Sequence, residues 1–296
     1  MDPKQLGGMI ATVVTPFDDN DQVDLAKVGP EVEYLLATGV TAICACGSTG
    51  EGQTLSLEET AAMIKEVAAV VDGRVPVIAG VIQNSTAQAI RYCLAAKEAG
   101  ADVLQVTPVH YVFKPSWDEE VEHFRLIADA AGLPIILYNV VPWAQVPIEA
   151  ISRIADEVPL VTAIKQSGGN IHLLAQELAL FSDRFRILAA LDNLHYPAFV
   201  MGAHGALAAI PTVTPRLSVE LWDAVQANDH VKARDLHEKI LAVWTAIDGP
   251  NLPARIKAAL ALQGRDGGLP RKPFAPATAA EREEIGLALK TAGLIA

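Results

Sequence analysis

The chain has 296 residues, of which 51% are hydrophobic and 20% charged, and this composition excludes a disordered protein. Its formal net charge of −12 at pH 7 argues against nucleic acid as a partner, because an acidic surface repels phosphate. Three cysteines are too few for a disulfide framework or a four-cysteine zinc site. The N-terminal residues show no signal pattern and no apolar run reaches membrane-spanning length, so we predict a cytoplasmic protein with no membrane partner.

Short apolar runs alternate with longer helical patterns from the N-terminus onward. Most of the runs are continuous in hydrophobicity, which is typical of strands that are buried on both faces. The predicted strands are residues 8–15, 40–46, 75–79, 102–107, 134–139, 160–165, 185–190 and 205–210.

Stretches with apolar residues at helical spacing lie between these strands, and several begin with a capping residue. Ser56, Ser85 and Ser116 each stand three residues before a Glu or a Gln, a pattern that satisfies the unpaired N–H groups of a helix start. Pro147 stands where the helix after the fifth predicted strand begins. The sequence therefore predicts a helix after most of the strands.

Eight strand–helix alternations predict a (β/α)₈ TIM barrel in residues 1–215. An open doubly wound sheet is the alternative, but no Gly-x-Gly-x-x-Gly follows the first strand. A C-terminal helical segment follows in residues 216–296, where no Gly/Ser linker intervenes, so we expect it to pack on the barrel. Its predicted helices are residues 217–227, 231–247, 252–262 and 278–292.

Active sites of such barrels lie at the C-terminal ends of the strands, and Lys165 ends the sixth predicted strand. Apolar neighbours there favour the neutral amine, which is the form that attacks a carbonyl group. A lysine that extends to solvent or pairs with a barrel acid fits the same pattern equally well. From the residues alone, both interpretations stay open.

Two further strand ends carry groups that suit chemistry near Lys165. Tyr138 ends the preceding strand and could exchange a proton with a group held on the lysine, although a structural tyrosine is the more frequent case. After the second strand, Gly47 and Gly50 bracket Ser48 and Thr49. Such a turn can point consecutive N–H groups at a carboxylate, and it is also compatible with a simple tight turn.

Metal and phosphate sites are not predicted. The seven histidines show no His-Glu-x-x-His or other paired spacing, so metal ligation is disfavoured. The loops after the seventh and eighth strands lack the glycines of a phosphate site, so we do not expect a phosphate ester as the substrate.

Taken together, three motifs resemble the N-acetylneuraminate lyase/dihydrodipicolinate synthase family over almost the whole chain. They are Gly47-Ser48-Thr49-Gly50-Glu51, Tyr138-Asn139 and Ile164-Lys165-Gln166. The resemblance implies a lyase, either an aldolase or a dehydratase, in which a lysine forms a Schiff base with pyruvate or another 2-keto acid. It implies small-molecule partners, namely the keto acid and an aldehyde, and this chemistry needs no cofactor.

The resemblance also implies roles for individual residues. Lys165 forms the imine, Tyr138 moves the proton and Ser48 relays it. The N–H groups of Ser48 and Thr49 hold the keto-acid carboxylate, and Gly47 of the same turn is a further candidate for substrate binding. Family members also use a tyrosine from a neighbouring subunit of a homotetramer built as a pair of dimers. In this chain Tyr111 is the candidate for that position.

Two departures from the family concern the substrate. Dihydrodipicolinate synthases carry an arginine shortly after the Tyr-Asn pair, whereas residues 140–147 contain no cation, and a carboxylate tail would lose its charge-assisted hydrogen bonds there. Sialic acid lyases carry an acidic pair after strand seven, which Asp192 and Asn193 match in part. Dihydrodipicolinate synthase itself and a non-catalytic keto-acid sensor are the alternative functions, and Trp143 is a candidate for lining an apolar pocket.

Overall fold

A computed structural model describes residues 6–167 and 169–296 of the chain. Residues 1–5, on which the predicted absence of a signal pattern depends, lie outside the described residues. Eight parallel strands pair in chain order and close into a barrel through β8 and β1. The strands are β1 Gly8–Thr12, β2 Ala42–Ala45, β3 Val77–Val81, β4 Val103–Val106, β5 Ile135–Asn139, β6 Val161–Gln166, β7 Arg186–Ala189 and β8 Gly205–Leu207.

Helices follow the strands and surround the barrel, so the predicted (β/α)₈ fold is confirmed. Short 3₁₀ turns cover Leu25–Lys27, Gly52–Thr54 and Pro142–Ala144. The α-helices are α1 Val28–Leu36, α2 Leu57–Val71, α3 Thr86–Glu98, α4 Trp117–Ala131, α5 Ile148–Glu157, α6 Ile171–Phe181, α7 His195–Val200, α8 Ile210–Val213, α9 Pro215–Gln226, α10 His230–Ile247, α11 Leu252–Leu262 and α12 Ala279–Thr291.

Most strands are shorter than the apolar runs that predicted them, because the ends of the runs leave the sheet to form loops. Cys46 has a left-handed backbone with φ 57°, so β2 ends at Ala45. Ala208 and Ala209 turn directly into α8, which leaves β8 with three residues. The residues at the ends of these apolar runs are buried in the loops, so they are apolar although they do not belong to the sheet.

The predicted helix starts agree with the hydrogen bonds. Ser56 and Ser116 each form a complete capping box with the glutamate three residues later. The Ser85 side chain accepts the N–H of Gln88. Pro147 stands immediately before α5, where its missing N–H costs nothing.

One cluster of buried side chains fills the barrel, and a second, larger cluster lies between the strands and the helices. Ile136 of β5 and Ala163 of β6 belong to the inner cluster. Side chains alternate along a strand, so Tyr138 and Lys165, two residues further on, also point inward. They are paired in the sheet register and stand at the C-terminal end of the barrel.

The C-terminal helices pack directly on the barrel. Helix α9 contacts β1, and α11 contacts α8. The division of the chain at residue 215 stays a prediction. None of the described helices is both long and apolar enough to cross a membrane.

Candidate active site

Lys165 and Tyr138 lie side by side at the mouth of the barrel. The Nζ of Lys165 is 4.0 Å from the centroid of the Tyr138 ring, and the lysine is 5% exposed. None of the ion pairs among the described residues involves Lys165. The side chain is therefore buried, and no described carboxylate lies within ion-pair distance of its Nζ. Its catalytic role stays a prediction.

The residue 47–52 turn places Ser48 beside Tyr138, with 3.1 Å between the Ser48 Oγ and the Tyr138 hydroxyl oxygen. Gly47 closes this turn by accepting the N–H of Gly52 at 3.0 Å. Gly52 has to be a glycine, because a Cβ there would lie 1.8 Å from the carbonyl oxygen of Cys46.

The N–H groups of Ser48 and Thr49 find no acceptor within the part of the chain that the structure describes. Two unpaired N–H groups at the edge of a cavity are suited to an anion such as a carboxylate. The turn therefore leaves two N–H groups available to an anion, and its role in binding a carboxylate stays a prediction.

A cavity of about 360 Å³ opens at this end of the barrel, and we call it the barrel-mouth cavity. Five of the predicted site residues contribute to its wall, which consists of Ser48, Thr49, Gln53, Tyr138, Val140, Lys165, Ser167, Ala190, Asp192, Ala208, Ala209, Pro250, Leu252, Pro253 and Phe274. Lys165 and Asp192 are the charged residues of this wall.

Asp192, in the loop after β7, forms part of the same cavity wall. Its Oδ1 accepts the N–H of Ile210 at 2.6 Å. Burial raises the pKa of Asp192 to about 6, while that N–H and the ammonium of Lys165 act in the opposite direction. The carboxylate is therefore partly protonated below neutral pH and mostly charged above it.

Three predicted site residues lie outside the cavity wall. Gly47 is buried at the start of the residue 47–52 turn, and Asn193, which follows Asp192, is exposed to solvent. Tyr111 is 71% exposed, and its backbone N–H donates to Asn84 at 2.9 Å. Trp143 is also exposed, and its Nε1 donates to the carbonyl of His110 at 2.9 Å, so it does not line the cavity.

The sequence interpretation missed the part of the wall that comes from the C-terminal segment. Pro250, Leu252 and Pro253 lie at and just before the start of α11, and Phe274 belongs to the Pro-rich stretch before α12. The sequence predicts that this stretch is an extended connection. Nothing in its pattern indicated that it covers the barrel mouth, because the rule for strand ends points only to the loops of the barrel itself.

A buried ion pair joins this C-terminal segment to the residue 47–52 turn. Lys257 of α11 donates to the Oε1 of Glu51 at 2.6 Å, and also to the carbonyl oxygens of Thr15 at 2.7 Å and Leu269 at 2.6 Å. The other oxygen of Glu51 accepts the N–H of Arg271 at 2.9 Å. Burial lowers the pKa of Lys257 and Glu51 opposes this effect. Contacts from the C-terminal helical segment thus help to fix the residue 47–52 turn in place.

A second polar network supports β5 and β6 from their outer side. Asn139 donates to Gln166 at 2.9 Å and accepts the N–H of Val146 at 2.9 Å, which fixes the loop after β5. Glu177 of α6 is fully buried. Burial raises its pKa to about 8, with the nearby Asn139 acting in the opposite direction, so its carboxyl group is largely neutral at pH 7.

Metal-ligating side chains do not cluster in this site. No group of three or more His, Cys, Asp or Glu residues able to hold a metal ion occurs within residues 6–167 and 169–296.

Comparison with known proteins gives one consistent family. The family model described as the dihydrodipicolinate synthetase family matches residues 5–292. A 4-hydroxy-tetrahydrodipicolinate synthase from Geobacter metallireducens is 39% identical over 97% of this chain and 99% of its own length.

Solved structures agree in fold over nearly the whole length. A dihydrodipicolinate synthase from Aquifex aeolicus has a TM-score of 0.92 and 29% identity, covering 98% of this chain and 99% of its own. A prophage protein of the dihydrodipicolinic acid synthase family from E. coli K12, solved in complex with pyruvate, has a TM-score of 0.92 and 26% identity, with the same coverage of both chains.

Proposed function

Because the chain belongs to the dihydrodipicolinate synthetase family, we propose that Lys165 is the residue that forms an imine with pyruvate. The chain is an enzyme of the class of Schiff-base lyases that act on a 2-keto acid. Membership of this family favours catalysis over the keto-acid sensor that the sequence left open.

The proposed reaction begins when the amine of Lys165 adds to the ketone carbon of pyruvate and water leaves. The positive imine nitrogen withdraws electrons, so the pyruvate methyl group loses a proton and an enamine forms. The enamine carbon bonds to the carbonyl carbon of an aldehyde, whose oxygen takes up a proton. Water then hydrolyses the imine and releases a 4-hydroxy-2-keto acid. Cleavage is the reverse sequence, and loss of the hydroxyl group as water is the dehydratase alternative.

Tyr138 is the proposed proton carrier, and Ser48 connects it to the edge of the cavity. Their 3.1 Å hydrogen bond supports this relay, since proton transfer needs groups within hydrogen-bond reach. The unpaired N–H groups of Ser48 and Thr49 are the proposed site for the pyruvate carboxylate. Asp192 faces the same space.

The observation that carries the proposal is the buried amine of Lys165, held 4.0 Å above the Tyr138 ring in a cavity that admits a small molecule. A lysine buried without an ion-pair partner is unfavourable for stability alone, whereas an amine at the wall of a cavity is placed to add to the carbonyl group of a bound keto acid.

Borohydride trapping tests this assignment. The full-length protein is incubated with pyruvate, reduced, and digested for peptide mass spectrometry. We expect a lactyl-type adduct on Lys165, and we expect Lys165→Ala to lose the adduct and to lower kcat by at least about 10³-fold. Lys65→Ala, on the exposed face of α2, is the matched control and should keep both. An adduct confined to another lysine, or full activity in Lys165→Ala, would refute the proposal.

The second candidate is 4-hydroxy-tetrahydrodipicolinate synthase, which is the name of the Geobacter relative. It is favoured by overall similarity and opposed by the absence of a cation in residues 140–147. A coupled assay with pyruvate and aspartate semialdehyde decides between the two, and we expect poor turnover of that aldehyde.

Two broader features stay proposals. The first is a cytoplasmic location. The second is a homotetramer in which Tyr111 reaches the site of a neighbouring subunit. The exposure of Tyr111 in the single chain supports the second proposal, because exposed apolar surface often marks a site of contact with another protein chain.

A further inference from the structure

The wall of the barrel-mouth cavity restricts the second substrate. Its charged side chains are Lys165 and Asp192. On the proposed function, Lys165 is consumed by the imine with pyruvate, and the free N–H groups of Ser48 and Thr49 hold the pyruvate carboxylate. The remaining wall residues within the described chain then supply no cation for a second carboxylate.

Asp192 makes a second carboxylate still less favourable. Above its pKa of about 6 it is an anion beside the space that the aldehyde must enter. In the neutral enamine the lysine nitrogen carries no positive charge, so the two carboxylates repel each other with no cation among the described wall residues. The binding of an aldehyde that carries its own carboxylate is therefore weakened in two ways. The carboxylate loses hydration, and Asp192 repels it.

Apart from Ser48, Thr49, Gln53, Tyr138 and Ser167, the uncharged part of the wall is apolar. Val140 stands beyond Tyr138, while Leu252, Pro253 and Phe274 come from the C-terminal segment and close the mouth. Apolar surface of this kind binds carbon chains and aromatic rings by the hydrophobic effect. The cavity volume of about 360 Å³ is near the lower end of the range for ligand pockets, about 300–1,000 Å³, so the aldehyde has to be short.

We propose that the second substrate is a short, uncharged aldehyde whose apolar chain lies against Leu252, Pro253 and Phe274. This inference rests on the proposed function and specifies the partner that the lysine-bound enamine attacks. The new bond joins the enamine carbon to the aldehyde carbon, the carbonyl electron pair moves to oxygen, and the Tyr138 hydroxyl supplies the proton. Hydrolysis of the imine releases a 4-hydroxy-2-keto acid whose carbon chain ends in the uncharged group of the aldehyde.

The test compares two four-carbon aldehydes that differ in one group. Butanal ends in a methyl group and succinic semialdehyde ends in a carboxylate. Each is supplied with pyruvate to the full-length enzyme at pH 8, where Asp192 is charged, and the product is measured by mass spectrometry. We expect kcat/KM to be at least tenfold higher with butanal. An equal or lower kcat/KM with butanal, including no turnover of it, overturns the inference.

Variants examine the wall itself. Phe274→Ala should lower kcat/KM for butanal by roughly tenfold, while acetaldehyde, which is too short to reach the ring, should be affected less. Leu252→Arg should raise the ratio of kcat/KM for succinic semialdehyde to that for butanal. Leu287→Ala removes an exposed side chain from α12, away from the cavity. It should change neither the kcat/KM for butanal nor the ratio between the two aldehydes. An unchanged butanal kcat/KM in Phe274→Ala counts against the inference.

The pyruvate adduct on Lys165 separates this inference from the function on which it rests. If the adduct forms and succinic semialdehyde is preferred, the imine chemistry stands and the neutral aldehyde is wrong. If no adduct forms, the proposed function fails and this inference fails with it. Leu252→Arg and Phe274→Ala should both still form the adduct, which shows that each variant is folded.

Discussion

Asp192, Glu120 and Glu177 are carboxyl groups at positions where burial makes their charge costly. Burial raises the pKa of Asp192 to about 6, that of Glu120 to about 7 and that of Glu177 to about 8. Glu120 accepts the N–H of Val109 at 2.8 Å and so supports the loop after β4. Each group therefore favours its neutral form in the folded protein more strongly than in the unfolded chain.

Glu177 allows the clearest test at the scale of one residue. Between its usual pKa near 4.5 and about 8, the unfolded chain loses this proton while the folded protein keeps it. The free energy of unfolding therefore falls as pH rises through this window. Glu177→Gln should remove that fall and raise stability at pH 8.5 by a few kcal/mol, with little change at pH 4.5.

Urea unfolding of the wild type and Glu177→Gln at the two pH values measures this difference. Glu149→Gln, at an exposed position of α5, serves as the control and should not alter the pH dependence. A Glu177→Gln variant whose stability follows the wild type across the whole window would show that the carboxyl group is charged when buried.

The elements around the site differ in how far local sequence determines them. The capping serines and the eight strands were predictable because each depends on residues within a few positions of one another. Lys165 and Tyr138 were predictable because strand ends converge at the mouth of a barrel. Leu252 and Phe274 were not, since their contact with the cavity depends on how distant helices pack. Gly47 was predicted to bind substrate; it is buried and lies outside the described cavity wall, and its role stays a prediction.

The link between α11 and the residue 47–52 turn gives a prediction at the scale of elements. Lys257→Met leaves Glu51 buried without its partner, and breaking a buried pair in this way costs roughly 3–5 kcal/mol. Adding Glu51→Gln should recover part of this loss, because the uncompensated charge is removed. Unfolding curves of the two single variants and the double variant measure the effect, and additive losses would contradict the coupling.

At the scale of the whole molecule, an exposed apolar patch surrounds the loop after β4. Tyr111, Val112, Phe113 and Trp143 are all mostly in contact with solvent, and such patches mark interaction surfaces. The predicted homotetramer gives this patch a partner in a second copy of the chain. In that proposed assembly Tyr111, which lies outside the cavity of its own chain, would reach the cavity of a neighbouring copy.

Phe113→Asp tests this assembly. Phe113 is 83% exposed, so the change should leave the single chain folded while it places a charge in the interface. We expect a lower mass by analytical ultracentrifugation than for the wild type. Leu287→Asp, at a position 67% exposed on α12, should keep the wild-type mass, and an unchanged mass in Phe113→Asp would argue against an interface at this patch.

The ion pair between Lys257 and Glu51 joins residues 206 positions apart. During synthesis the N-terminal part of a chain emerges first, so all eight strands leave the ribosome before α11 does. A nascent chain then already contains Lys165 and Tyr138, but it lacks the groups that hold the residue 47–52 turn and cover the barrel mouth. A keto acid would therefore meet a finished cavity only after α11 and Phe274 have emerged.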